Sequence, residues 1–218
     1  MPLSTSGQEL YPADIQLLEA TRPQPQPCCV IPARKGSRRI KHKNMKLMNG
    51  RPLVDYALKA AIDSGVFHLI IVSSNDMEVL EHTYSYFGTN VVQPHKRPDP
   101  LCGGDVPIKT VVRYVIQSYR APDVMCLLQP TNPLITSEQI KDAYTKFMSE
   151  KPNYLIGLCN GKDIGFHFFQ RDAFLREYES YDKDFFGTRW ILHEMKGVDI
   201  DTEEDWAEAE RLLRANIA

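Results

Sequence analysis

The stretch Val30-Ile31-Pro32-Ala33-Arg34-Lys35-Gly36-Ser37-Arg38-Arg39-Ile40-Lys41-His42-Lys43-Asn44 decides how this chain is read. An apolar run ends in a proline and breaks at once into a loop with one glycine and six Lys or Arg residues. The run reads as a buried strand and the basic segment as the loop leaving its carboxyl end, where an open α/β sheet binds its ligands. Gly36 lets backbone approach a phosphate, and successive amides in such a turn form an anion nest. Arg34, Lys35, Arg38, Arg39, Lys41 and Lys43 supply the positive field a polyphosphate needs. A loop that merely solubilises the surface has the same composition, so the rest of the chain must arbitrate.

Outward from this stretch, strand and helix patterns alternate. Met45 to Met48 is a short extended piece turned by Asn49-Gly50. Pro52 opens a helix whose apolar face is Leu53, Tyr56, Ala57, Ala60 and Ala61 and which Gly65 closes. Val66 to Val72 is too apolar to alternate, as expected of a strand covered on both faces, and Ser73-Ser74-Asn75-Asp76 follows it. A helix over 77–87 stops at Gly88, and Val91-Val92 is a short third strand. A loop over 93–105 leads into a helix over 106–119. Val124 to Leu128 is the most apolar strand and reads as central, with the polar exit Gln129-Pro130-Thr131-Asn132-Pro133-Leu134.

Ser137 is the expected cap of a helix running to about 149. Tyr154 to Cys159 is a fifth strand ended by Asn160-Gly161, Ile164 to Phe169 a weakly alternating sixth, and 172–178 a short helix. An acidic, aromatic loop over 179–189 precedes a last strand from Trp190 to Glu194. Thr202 caps the final helix with Asp205 as its reciprocal partner, and Leu212 and Leu213 pack it. The alternation over 28–150 predicts a Rossmann-like α/β fold, a mostly parallel sheet with helices on both faces.

With 218 residues, 43% of them apolar, the chain has enough material for one full core. That core is assigned to a domain over 28–218. Residues 1–27, with a possible helical turn or two at 14–20 and then Pro23, Pro25 and Pro27, form an amino-terminal arm and proline-rich linker. The arm packs on the domain or a partner, or is a mobile tail; both readings stand. A net charge of −2 gives no general pull towards polymeric nucleic acid or anionic membrane, so any anion site is local. Five cysteines without metal-type spacing predict reduced thiols, with Cys102 in its glycine-flanked loop the one candidate for reactivity. No signal-peptide pattern or membrane-length apolar run is present, so a cytoplasmic protein is expected.

Three polar clusters follow buried strands, at 33–44, 73–76 and 129–132, and adjacent strands bring them into one crevice. Asp199 and Asp201 flank Ile200. In an extended segment residues two apart face the same way, so both carboxylates can address one Mg²⁺ bridged to substrate phosphates. Helix capping by Asp201 with a solvated Asp199 is the competing reading. The histidines lack zinc spacing, and no Walker A motif, Gly-x-Gly-x-x-Gly fingerprint or Gly-x-Ser-x-Gly elbow occurs. His95, Lys96, Arg97 and Asp105 are candidates for gripping an acidic acceptor, with Arg97 and Asp105 preferred; an ordinary mobile loop is the alternative.

Taken together, Val30 to Asn44, Ser73 to Asp76, Arg97-Pro98, Leu128 to Leu134 and Asp199 to Trp206 resemble, in order and spacing, the signature segments of the CMP-nonulosonate (acylneuraminate- and pseudaminate-type) cytidylyltransferases. Arg39 resembles the pseudaminate variant of the first segment. The resemblance covers about 28–213 and implies a sheet of the nucleotide-diphospho-sugar transferase type. It implies that Arg34 and Arg38 hold a triphosphate, with Arg38 standing where the family has its catalytic lysine and Lys35 where it has a glycine. Asn44 and Gln129 would read the cytosine or ribose, and Ala33, Gly36, Ser37 and Ser74 would complete the nucleotide site. Asp199 and Asp201 would bind Mg²⁺, with Asp201 also counted as catalytic. The implied reaction forms a CMP ester of an acidic sugar from CTP and releases pyrophosphate.

One family feature is missing. A long sugar-binding and dimerisation segment usually separates the fifth and sixth strands, whereas here Cys159 to Phe166 crosses the gap. A homodimer, if formed, would not use that insertion. Two other readings remain: CTP-dependent activation of a smaller carboxylate or phosphonate, and a non-catalytic nucleotide-binding partner or regulator.

Overall fold

The computed structural model describes residues 26–87, 90–178 and 188–215. The expected arm, with its turn at 14–20 and Pro23 and Pro25, therefore lies outside the described residues, as do the Gly88 helix stop and most of the 179–189 loop. The described chain begins at a fastening: Pro27 O accepts the backbone N–H of His68 at 3.2 Å, which sets β1 (Cys28–Pro32) beside β4 (Leu69–Ser74).

A seven-stranded sheet forms the centre, in the order β5 (Val92–Lys96), β4, β1, β6 (Val124–Leu128), β8 (Lys162–Gln170), β7 (Tyr154–Cys159), β9 (Trp190–Glu194). β1 runs parallel to both β4 and β6, pairing Cys29 with Ile70 on one side and Cys126 on the other. β8 alone among these runs antiparallel to its neighbours β6 and β7. The expected mostly parallel sheet is thus the observed one, and β6 is its middle strand.

Helices cover both faces, which is why the inner strands are apolar throughout rather than alternating. Cys29, Ile31, Val72, Cys126 and Leu128 pack on one face with Val54, Ala57 and Leu58 of α1 (Leu53–Ser64) and Ile140, Ala143 and Phe147 of α4 (Ser137–Glu150). Cys28, Val30, Ile71 and Leu127 face the other way, onto Val112, Val115 and Ile116 of α3 (Ile108–Ser118) and Phe174 of α5 (Arg171–Glu177). α2 (Met77–Phe87) flanks β4 and β5. Among the described residues no helix is long and apolar enough to cross a membrane.

Two Asn-Gly pairs make the sharp turns. Asn49 and Gly50, both at positive φ, join β2 (Leu47–Met48) to β3 (Arg51–Pro52), and Asn160 and Gly161 join β7 to β8. Positive φ at both central residues is what a two-residue hairpin demands, and Asn and Gly tolerate it best. The short crossing from the fifth to the sixth strand is therefore a tight hairpin.

Several expectations needed correction. The strand at Val91-Val92 instead runs from Val92 to Lys96, so His95 and Lys96 belong to a strand and not to the loop; Pro94 is accommodated because β5 is an edge. Thr136, not Ser137, caps α4, in a capping box with Gln139. The last helix, α6 (Glu203–Ala215), buries Trp206 and Ala209 most deeply, with Leu213 only flanking them.

The cap expected for α6 is present: Asp205 N–H donates to Thr202 Oγ1 at 3.2 Å, and the Asp205 carboxylate accepts from the N–H groups of Thr202 at 2.7 Å and Asp201 at 2.9 Å. These backbone donors hold the Asp205 carboxyl below its ordinary range. A depressed folded pKa means the stabilisation exists above the unfolded carboxylate value and is lost as pH falls through the folded one. Asp205→Ala should therefore lower stability by about 1 kcal/mol at neutral pH, with the wild-type and variant urea curves converging below about pH 4.

Candidate active site

The chain leaves β1, fills β4 and β5 to one side, then returns to place β6 on the other side of β1. The loops after β1 and β6 consequently part at this switch point and leave a crevice beyond the strand ends. A cleft of about 490 Å³ occupies it. Arg34, Ser37, Arg38, Arg39, Lys43 and Asn44 line it from the first loop, Gln129, Pro130 and Thr131 from the β6 exit, Arg97 and Gly104 from the loop after β5, and Asp199 and Asp201 from the far wall. Five cationic side chains thus face two carboxylates across one opening.

The basic loop is shaped by its own side chains. Gly36, at φ +82°, makes the left-handed turn, and Lys35, the residue before it, needs no positive φ. Lys35 N–H donates to Asn75 Oδ1 at 2.8 Å, while Asn44 Nδ2 donates to Arg34 O at 3.0 Å and closes the loop on itself. Arg38 reaches across to Asp105 at 3.4 Å, lying so close to Gly104 that a Cβ there would stand 2.6 Å from Nη2.

The acidic wall is fastened through Ile200. Its side chain is fully buried with Ile40 of the basic loop, Met48, Leu53 and Trp206. Its N–H donates to Thr131 O at 2.9 Å, and its carbonyl accepts from Lys43 Nζ at 2.7 Å. With Ile200 turned inward, both flanking aspartates turn out into the cleft, as the spacing predicts. Asp201 meets Arg39 at 2.8 Å and Lys43 at 3.8 Å. Burial raises the Asp199 carboxyl above its usual range, and the charge of Asp201 adds to the rise; burial lowers Lys43, against the pull of both aspartates. An additional cation between the aspartates would relieve their mutual repulsion. Among the described residues no cluster of three or more His, Cys, Asp or Glu is placed to hold a metal. Two hard carboxylates open to a ligand are nevertheless what Mg²⁺ shared with phosphates uses, so the donor set fits that ion. The competing assignment of Asp201 as the helix cap falls to Thr202 and Asp205.

Not every expected site residue reaches the cleft. Ala33 is buried, its N–H spent on Ser73 O at 2.9 Å and its carbonyl on Ser74 Oγ at 2.6 Å. Ser74 is buried too, also accepting from Asp76 N–H. Both knit β1 to β4 beneath the site. Gly36 and Asp105 are not among the lining residues; Gly36 O accepts from Arg34 Nη1 at 3.3 Å, and the exposed Asp105 pairs with Arg38. Arg97 lines the cleft but is only 3% exposed; Nη2 donates to Ser73 O at 2.9 Å and Nε to Ser73 Oγ at 3.3 Å. Burial draws its pKa down to about 10, which leaves it charged at neutral pH.

Other contributors were not legible from residue type. Buried Asn132 accepts from the N–H groups of Leu134 and Val198 through Oδ1, binding the β6 exit to the segment that carries Asp199. Beyond the end of β6, Gly165 of β8 accepts Gln129 N–H at 2.9 Å. Beside it, His167 Nε2 lies 2.8 Å from both oxygens of Asp163. Burial pushes the Asp163 carboxyl up, but His167 and the Gly165 N–H outweigh it and leave the group below its usual range.

Comparison with known proteins agrees with this geometry. The family model described as cytidylyltransferase matches residues 28–165. Pseudaminic acid cytidylyltransferase of Campylobacter jejuni is 30% identical over 128 residues, 58% of this chain and 55% of that protein. CMP-N,N'-diacetyllegionaminic acid synthase of Legionella pneumophila is 27% identical over 225 residues, 86% of this chain and 96% of that protein. The chain spans about half the length of the first curated relatives it matches. Among solved structures, CMP:2-keto-3-deoxy-manno-octonic acid synthetase complexed with CTP superposes with a TM-score of 0.67 at 14% identity, covering 87% of this chain and 98% of that one. That likeness establishes the nucleotidyltransferase fold.

The Lys43 to Ile200 bond carries a direct consequence. Lys43→Met should weaken binding of inorganic triphosphate to the cleft about tenfold or more, read by calorimetry, because one charge-assisted bond and one facing cation go together. Its melting temperature should fall by only a few degrees, since the Ile40 and Ile200 packing remains.

Proposed function

The chain belongs to the cytidylyltransferase family, and we propose that its cleft transfers CMP from CTP to an acidic sugar of the nonulosonate class, releasing pyrophosphate with Mg²⁺ as the cofactor. The observation that carries this reading is the convergence of five cationic side chains opposite Asp199 and Asp201 at the switch point of the sheet. The names of the curated relatives, which describe pseudaminic, acylneuraminic and legionaminic acids, support the acceptor class.

The chemistry asked of the protein is mostly positioning and charge stabilisation. Arg34 and Arg38 bind the triphosphate, and their fork-like donors follow the charge that moves onto the leaving pyrophosphate. An acceptor hydroxyl oxygen bonds to the α-phosphorus, the bond from that phosphorus to the β-bridging oxygen breaks, and the hydroxyl proton leaves to solvent or a carboxylate. Arg97, buried and charged, fixes the floor through Ser73. Asp199 and Asp201 would hold Mg²⁺, which supplies charge neutralisation at the phosphates. No covalent enzyme intermediate is required.

The β7 to β8 hairpin gives a second acceptor reading its support. Asn160 and Gly161 close that turn in two residues, so the wall over this half of the sheet is short and a smaller carboxylate or phosphonate also fits.

The test is pyrophosphate release from CTP and Mg²⁺ with a panel running from nine-carbon keto sugar acids to small acids and phosphonates. Release with a nine-carbon acid is expected, and release with small acceptors alone moves the assignment to the second reading. CTP binding without release from any acceptor identifies a nucleotide-binding partner protein and contradicts the proposal. Arg38→Ala and Asp201→Asn should each lower kcat by about a hundredfold, and chelation of divalent cations should abolish turnover reversibly.

A further inference from the structure

The contact between Arg39 and Asp201 is set by the core beneath it. Ile40 and Ile200 are fully buried in one cluster. Arg39 immediately precedes the first of them and Asp201 immediately follows the second. Packing the two isoleucines together brings the basic loop and the acidic segment edge to edge, and Arg39 Nη1 meets Asp201 Oδ2 at 2.8 Å. The other oxygen, Oδ1, lies 3.8 Å from Lys43 Nζ. Both oxygens of this carboxylate therefore face a cation.

The two cations differ in freedom. The Lys43 side chain is 13% exposed, and its ammonium donates to Ile200 O at 2.7 Å, so it is anchored in place. The Arg39 side chain is 65% exposed, and Asp201 is its one ion-pair partner among the described residues. It lines the cleft beside Arg34 and Arg38. An ion pair between two exposed side chains is weak, and a solvated arginine stem can swing without opening the core. Arg39 is thus held at Asp201 by a contact that is easily exchanged.

A divalent cation on Asp201 needs carboxylate oxygen as a ligand, and Arg39 already occupies one of the two oxygens. Such a cation arriving alone must displace the guanidinium and then stand close to its charge. Phosphate offers the displaced guanidinium a strong alternative partner, because its oxygens match the planar fork of donors. From this geometry we propose that Arg39 competes with the divalent cation for Asp201 and passes to the substrate's phosphates when metal and nucleotide arrive together. Each ligand then raises the affinity of the other, as linkage requires. The inference rests on the reading of the cleft as a site for Mg²⁺ and CTP, and deepens it by giving Arg39 the task of coupling the two.

Mn²⁺ is the probe, because its free concentration is read directly by electron paramagnetic resonance. Arg39→Ala in the full chain should bind Mn²⁺ alone about tenfold more tightly than wild type, since removing one positive charge from beside a dication is worth roughly that much at water-like screening. The same variant should bind the Mn²⁺–CTP complex about tenfold more weakly by calorimetry, because one charge-assisted bond to phosphate is lost. Opposite signs in one variant separate this role from a merely structural one, which would weaken both. Arg39→Lys keeps the charge and should move both affinities back towards wild type. A folded Arg39→Ala protein in which either affinity is unchanged, or both move the same way, would overturn the exchange. Asp201→Asn distinguishes that failure from failure of the underlying reading. It should bind the Mn²⁺–CTP complex more weakly than wild type, and wild-type affinity there would overturn the metal site and the inference with it.

Discussion

The site depends on one residue with no chemistry of its own. Ile200 is held through its side chain by Ile40, through its N–H by Thr131 and through its carbonyl by Lys43. Its burial alone contributes roughly 2 kcal/mol, and its two hydrogen bonds fix the direction as well as the depth of the segment. Three separate stretches, after β1, after β6 and before α6, are brought to one point by this residue. Turning Ile200 inward obliges Asp199 and Asp201 to face the opposite way, towards the basic loop.

That arrangement sets positive and negative groups against each other in a partly buried cleft. Arg39 and Lys43 partly neutralise Asp201, whereas the Asp199 carboxyl is raised by desolvation and by the charge of the second carboxylate. Arg34, after β1, and Arg97, after β5, remain as an excess of positive charge, beside Arg38, which Asp105 partly neutralises. The cleft is therefore divided into a part suited to a polyphosphate and a part suited to a divalent cation, with Gln129 between the two halves of the sheet. The chain's overall charge of −2 conceals this local separation, which is produced by the fold.

Much of this was legible because the relevant signals are local. The strand ending at Pro32, the glycine turn at Gly36, the two Asn-Gly hairpins and the Thr202 and Asp205 cap follow from backbone preferences over a few residues. The direction of the two aspartates followed from strand geometry and the apolar residue between them. Errors arose where tertiary context chose between equal local options. Thr136 and Ser137 are both good caps, and the backbone direction entering α4 selected the first. Pro94 marked a loop by propensity, yet an edge strand accepts it. Ser74 and Ala33 belong to the right segments, but their polar atoms are consumed in joining β1 to β4. Asp163, Gly165 and His167 gave no sequence signal, since their relation to Gln129 exists only once β8 lies antiparallel to β6.

The most direct measurement is hydrogen exchange of the backbone with and without CTP and Mg²⁺. If the basic loop and the aspartate segment form one site through Ile200, then residues 33–46 and 196–202 gain protection together, at the same nucleotide concentration. Protection confined to the first segment, or gained by the two at separate concentrations, would contradict the account.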